Sequence, residues 1–414
     1  FNESIKREFS KVIIYDNERY KIRIFSYRYK KVKYFFIESF DFFDTDEVYG
    51  YENDVDRFAF FNKAVVELLD DLDPFDLIHV HDWHTALIPL IKDNSKHKDI
   101  PTLLTIHNID YQGVASNEII NKLGITNFIF REDQINFLEL GINTATKLST
   151  VSPTYKDELK YEYYGRNLTH SIIRRDRDFY GILNGISSSF NPQTDKLLYK
   201  NYSFNSYQNK LKNKLYLQEK MGITVDENAF VIGMVTRIVE HKGFDLVLHA
   251  MHQILQNPNV QFVLLGTGDY RYQQELLKIQ EAFPNQVKMN LGYDSTVPNH
   301  IYAGADVFLM PSRFEPCGLG QMIALKYGTL PIVRNTGGLA DSVDRYDSIT
   351  KKGNGFIFNN YDFNEMIYAI NEAFSVFTNN KEDWLKLVKR GMTVDHSIMT
   401  VSKRYVEFYK SIIN

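Results

Sequence analysis

The chain has one cysteine in 414 residues, Cys317, which excludes an internal disulfide framework and argues for a reducing compartment. A basic excess is also missing. Its 48 Lys and Arg stand against 52 Asp and Glu, a formal net charge of −4, so neither nucleic acid nor an anionic membrane is an expected partner. No apolar run approaches the roughly 20 residues that span a bilayer, and the N-terminus carries no charged-then-apolar signal pattern. A soluble, cytosolic protein is expected. With no internal repeat and no long low-complexity tract, the whole chain reads as globular, and its length favours two domains.

Aromatic residues are plentiful, with 27 Tyr and 30 Phe. Sugar-stacking platforms would use them, but core packing is the plainer cause. Lys11-Val-Ile-Ile-Tyr and Tyr20-Lys-Ile-Arg-Ile-Phe flank an Asp16-Asn17 turn and read as a hairpin, with Tyr34-Phe-Phe-Ile a further strand. From Val55 onward short apolar runs alternate with amphipathic stretches: Asp76-Leu-Ile-His-Val, Pro101 to Ile106 and Lys147 to Val151 read as buried parallel strands. The alternation stops near Asn184. A polar stretch over 191–227 separates it from a second series at Phe230 to Val235, Val260 to Leu265, Gln286 to Met289, Asp306 to Met310 and Leu330 to Val333. The fold class is therefore α/β, with a doubly wound domain over 1–190, a linker over 191–227, a second doubly wound domain over 228–381 and helices over 382–414. Two such domains in series imply a ligand cleft at the carboxyl ends of their strands.

The most informative segment is Asp306 to Asp341. A strand there ends in Pro311-Ser-Arg-Phe-Glu-Pro-Cys-Gly-Leu-Gly, and Thr336-Gly-Gly-Leu-Ala-Asp341 follows the next strand. Glu315 is a lone carboxylate in the loop. Gly318 and Gly320 bare the backbone before a helix whose first N–H groups suit a phosphate. Gly337-Gly338 would bring a second bare backbone to the same pocket, although a glycine pair taken alone reads as a tight turn. Arg237 and Lys242 follow the first strand of the second domain, where a guanidinium and an ammonium together can hold a diphosphate without metal.

His79-Val-His81-Asp82-Trp83-His84 at first sight suggests a metal cluster, but no Cys or second carboxylate group accompanies it. Asp82 is better suited to hydrogen bonding at the cleft and His79 to a structural role. His107, with Asn108, emerges at the end of the next strand, where polar groups would serve the hydroxyls of a sugar. The triplets Asp44-Thr-Asp46, Asp54-Val-Asp56, Asp71-Leu-Asp73 and Asp176-Arg-Asp178 can bind metal in principle. Four copies in acidic surroundings point to composition, and no metal or other cofactor is expected.

The ordered set His81-Asp-Trp-His, Thr105-Ile-His-Asn-Ile, Thr150-Val-Ser-Pro-Thr-Tyr, Gly181-Ile-Leu-Asn-Gly-Ile, Thr236-Arg to Lys242-Gly, Leu265-Gly-Thr-Gly-Asp, Pro311 to Leu319 and Thr336 to Asp341 resembles the bacterial glycogen synthase and plant starch synthase family over nearly the whole chain. The resemblance implies a GT-B fold, two Rossmann-like domains about a cleft, with the C-terminal helix crossing back to the first. It further implies retaining transfer of glucose from a nucleotide diphosphate, ADP-glucose or UDP-glucose, to the 4-hydroxyl of an α-1,4-glucan, in a bacterial cytosol or a plastid.

By position, the resemblance assigns Arg237 and Lys242 to the donor diphosphate and Glu315 to the donor sugar. The backbone from Cys317 through Gly318 and Leu319 to Gly320, with Gly337 and Gly338, completes that site. Asp82, His107 and Asn184 correspond to first-domain residues around the transferred glucose. The family's Lys-x-Gly-Gly-Leu loop is absent, and the chain opens at Phe1, without Met, inside the first domain. It is expected to lack about the first βα units, and a non-catalytic nucleotide-sugar or glucan binder is the alternative reading. Ser187 replaces the family's usual Asp, Gly320 stands where some members carry a hydroxyl, and Asn167 falls at a usual glycine turn.

Overall fold

The computed structural model describes residues 5–125, 133–292, 294 and 296–413. Strands β1 (Lys6–Tyr15), β2 (Glu18–Tyr29) and β3 (Val32–Glu38) form an antiparallel sheet. Its first turn is set by Asp16 and Asn17, which take φ of 54° and 61°, the geometry that matches a two-residue hairpin to strand twist. Period-2 alternation then buries Ile13, Tyr15, Ile22 and Ile24 on one face.

Next in the chain come β4 (Ile78–His81), β5 (Thr102–Ile106), β6 (Val114–Ser116), β7 (Gln134–Asn136), β8 (Lys147–Thr150) and β9 (Phe179–Gly181). Strands β6 and β7 pair as a small antiparallel ribbon, while the others make a sheet ordered β4-β5-β8-β9. β4, β5 and β8 run parallel. All five residues of β5 are buried, as expected of a strand covered on both faces.

The second series is β10 (Phe230–Val235), β11 (Val260–Gly266), β12 (Val287–Leu291), β13 (Val307–Met310), β14 (Leu330–Arg334) and β15 (Phe356–Phe358). They form one sheet, β12-β11-β10-β13-β14-β15, and every adjacent pair in it is parallel. The order reverses between β10 and β13. Connections after these two neighbours therefore leave toward opposite sides, which opens a crevice at their carboxyl ends.

By its internal contacts the chain divides into one unit of Phe1–Thr150, Leu159–Tyr180 and Glu407–Asn414, and another of Val151–Glu158 and Gly181–Val406. The last helix, Ile398–Ile413, thus ends in the first unit, where the Tyr409 hydroxyl lies 2.8 Å from His79 Nδ1 and Phe408 packs on Tyr180. The polar stretch 191–227 holds a helix, Gln208–Met221, that turns Lys210, Asn213, Lys214 and Gln218 inward. Lys210 Nζ donates to the Tyr302 and Ala303 carbonyls and to Thr329 Oγ1, three acceptors for three protons. No helix of the described residues is long and apolar enough to cross a membrane.

Candidate active site

Within the second unit, the loops after β10 and β13 meet at the strand reversal. Gly243 makes the approach possible: at φ 84° it turns the chain after Lys242, and a Cβ there would stand 2.2 Å from the Pro311 carbonyl oxygen. Lys242 Nζ then reaches Glu315 Oε2 at 2.7 Å, and Ser312 Oγ donates to the same oxygen at 2.9 Å. Glu315 is buried, at 6% exposure. Its other oxygen, Oε1, has no hydrogen-bond partner among the described residues. Arg237, by contrast, is exposed, and its guanidinium has no partner among the described residues.

Glycines in this region serve close packing. A Cβ on Gly337, at φ 43°, would meet the Glu315 carbonyl oxygen at 2.1 Å, and one on Gly338 would meet the Cys317 carbonyl oxygen at 2.0 Å. Gly338 N donates to the Glu315 and Pro316 carbonyls. The turn after β14 is therefore laid directly on the backbone of the loop after β13. Gly318 takes φ 68°, and Gly320 faces the Phe308 ring, whose Cε1 would lie 2.8 Å from a Cβ. Leu319 is exposed between them. Cys317 is buried, its thiol pushed up to about 12 by burial, with the Asn184 backbone hydrogen-bonded to its sulfur. Asn184 thus sits in the second unit, beside the Glu315 loop.

Arg334 escaped the sequence reading. Its guanidinium donates to the carbonyls of Ser312 at 2.9 Å, of Arg313, and of Asn359 at 3.3 Å, stitching the Glu315 loop to β14. The available signal was a lone charge closing the apolar run Leu330-Pro-Ile-Val. Glu158 offered no signal at all. It lies 178 positions before Thr336, whose Oγ1 donates to it at 2.8 Å.

In the first unit, Asp82 follows β4 with φ 53° and ψ −173°, a backbone region that L-residues other than glycine enter only under strain. Its Oδ1 accepts from His107 N at 2.7 Å and from Asn108 N at 3.4 Å. The strand-end backbone at His107 is thereby held by a carboxylate. His81 Nδ1 lies 3.0 Å from His107 Nε2, and the His81 imidazole is held below its usual range by burial and by His107. His79 lies between Tyr409 and Thr105, and burial pushes it down to about 3. Carboxylates of the acidic triplets form ion pairs, Asp54 with Arg57, Asp56 with Lys122, Asp71 with Lys11 and Asp178 with Lys147. No group of three or more His, Cys, Asp or Glu among the described residues is arranged to hold a metal ion.

Residues 2–174 match the family model described as the starch synthase catalytic domain, and residues 218–383 match glycosyl transferases group 1. The chain is 41% identical over 398 residues to a glycogen synthase of Clostridium novyi, covering 92% of this chain and 83% of that protein. It is similar to the solved catalytic domain of starch synthase IV from Arabidopsis thaliana bound to ADP and acarbose, at 33% identity and a TM-score of 0.90, over 99% of this chain and 88% of that one. A sucrose-phosphate synthase from Thermosynechococcus elongatus matches at 16% identity and a TM-score of 0.59, covering 88% of this chain and 80% of that one, which is a likeness of fold alone.

Proposed function

The chain belongs to the glycogen and starch synthase family, and from that premise we propose that it transfers glucose from ADP-glucose to the non-reducing 4-hydroxyl of an α-1,4-glucan with retention. Its two parallel sheets are those of the GT-B fold. The observation that carries the reading is the pair of half-buried Lys242 with buried Glu315 at the strand reversal of the second unit. An ammonium has three protons; one goes to Glu315, and two remain for a donor phosphate. Exposed Arg237 supplies a planar fork to the same diphosphate. Glu315, with Oε2 occupied, accepts from a donor sugar hydroxyl through Oε1, and backbone from Cys317 to Gly320 lines the donor.

Asp82 and His107 act on the transferred glucose, His107 through its carbonyl or ring, and Asn184 beside Cys317 completes the sugar contacts. The acceptor O4 bonds to the anomeric carbon on the face that the diphosphate leaves, and the acceptor's hydroxyl proton passes to the departing phosphate oxygen. Cations at the diphosphate and fixed dipoles at the sugar lower the barrier by stabilising charge as it separates. No metal enters this scheme. Bacterial relatives and the single cysteine support a bacterial cytoplasm as the setting.

Incorporation of labelled glucose into glycogen, with ADP-glucose and UDP-glucose in parallel, tests the proposal. Transfer is expected from ADP-glucose. Preference for UDP-glucose would overturn the donor assignment, and no transfer from either would overturn the reading.

A further inference from the structure

The segment Val151–Glu158 leaves the end of β8 but belongs to the second unit, and two carboxylates fasten it to the short helix Gly337–Ser342. Thr154 donates its backbone N–H and its hydroxyl to the two oxygens of Asp341, at 2.9 and 2.7 Å. At the other end, Glu158 Oε1 accepts from Thr336 Oγ1 at 2.8 Å and from Gly337 N at 3.1 Å. Thr336 is in the N-cap position but makes no cap hydrogen bond with its own side chain. Its hydroxyl is turned to Glu158, which satisfies the helix's first amide in its place. That same turn carries Gly337 and Gly338, whose bare Cα atoms rest on the backbone of Glu315 and Cys317.

From this geometry we infer that Glu158 is a positioning residue of the transferase site, holding the Thr336–Gly338 turn against the backbone of the Glu315–Cys317 loop. The reading rests on the function proposed above only for what the loop binds. Glu158 Oε2 is buried and has no hydrogen-bond partner among the described residues. An ionised carboxylate would leave that oxygen bare in the interior, whereas the neutral acid carries its proton there. Burial raises the Glu158 carboxyl above its ordinary range, against the lowering pull of the Thr336 and Gly337 hydrogen bonds and of Arg334, with Asp341 adding to the rise. Glutamine, which has the neutral acid's shape and keeps Oε1 as an acceptor, is therefore the conservative replacement. Alanine removes both cap bonds.

Cys317 is the only thiol in the chain and is buried beneath Gly338, so its modification rate by a thiol reagent in the native protein reports on this contact without requiring turnover. In Glu158→Ala we expect modification to quicken by about 10-fold or more, because local opening exposes the sulfur. Its kcat for glucosyl transfer is expected to fall by about 10-fold or more, with a smaller change in KM for ADP-glucose. Glu158→Gln is expected to keep both within about 2-fold of the parent. Wild-type thiol reactivity in folded Glu158→Ala, or a Gln variant as impaired as Ala, would overturn the inference. Should Glu158→Ala fail to fold, Thr336→Val, which removes one cap donor, must raise thiol reactivity for the inference to stand. A chain that transfers no glucose would defeat the functional reading and leave the thiol measurement decisive.

Discussion

Lys242 Nζ lies 2.7 Å from Glu315 Oε2 in a pair that joins the two loops at the strand reversal, and Ser312 closes on the same oxygen at 2.9 Å. Removing the ammonium would take a cation from the proposed donor site and leave a buried carboxylate with only a hydroxyl partner among the described residues. Lys242→Ala should therefore lower kcat/KM by about 10- to 150-fold, the value of a charge-assisted contact of roughly 1.5–3 kcal/mol. Lys278, exposed and paired with Glu275, is the control, and Lys278→Ala should leave the rate unchanged. Equal activity of the two variants would remove Lys242 from the donor site.

Asp82 carries a strained backbone and a useful side chain at one position. Asp82→Gly and Asp82→Ala both lose the carboxylate that holds His107 N, so both should lose most of their activity. Glycine relieves the φ 53° conformation and alanine does not. Thermal denaturation should find Asp82→Gly more stable than Asp82→Ala by about 1 kcal/mol. The reverse order would show that the strain carries no cost.

Gly338→Ala would place a Cβ 2.0 Å from the Cys317 carbonyl oxygen, whereas a Cβ at Gly292 meets nothing closer than 4.0 Å. Forcing the turn away from the Glu315 loop should cost about 1–3 kcal/mol of stability and most of the transfer activity. Gly292→Ala should be near neutral on both measures. A fully active Gly338→Ala would mean that the turn and the loop move independently.

Acid should destabilise the protein below about pH 6.5 through histidines that the fold desolvates. Burial lowers His79 to about 3 and also lowers His81, His84, His300 and His396. In the unfolded chain these imidazoles take up protons near 6.5, while in the fold they bind a proton less readily, so stability is full above that value and falls as pH drops below it, for His79 toward 3. The melting temperature of His79→Gln should fall less between pH 7 and pH 5 than that of the parent. Parallel curves would exclude His79 as a contributor.

EDTA should leave glucosyl transfer intact, since the proposed chemistry rests on Arg237 and Lys242, and the acidic triplets hold Arg57, Lys122, Lys11 and Lys147 in ion pairs. Activity restored only by Mn²⁺ or Mg²⁺ would return those triplets to consideration.

Much of this was legible in the sequence because its signals are local. Val231 to Val235 is apolar and Thr102 to Ile106 is rich in Leu and β-branched residues over a strand's length, and Asp16-Asn17 tolerates the positive φ a tight turn demands, so strands, hairpin and parallel class follow from periodicity and turn chemistry. Arg237, Lys242 and Glu315 stand out in the sequence because each follows a strand end in a loop with glycine nearby. What the loops do to one another was not legible. That Lys242 is paired while Arg237 has no partner among the described residues, that Asn184 belongs beside Cys317, and that Glu158 caps a helix 178 positions away depend on which strands become neighbours. Buried Lys210, in a stretch whose composition reads as a linker, is explained only by the Tyr302, Ala303 and Thr329 acceptors that the packed helices bring to it. Backbone propensity and periodicity act over a few residues, so the elements and the chemical groups at their ends are written locally. The partners come from packing, because a buried polar group takes its state from whatever atoms the fold brings within about 3 Å of it.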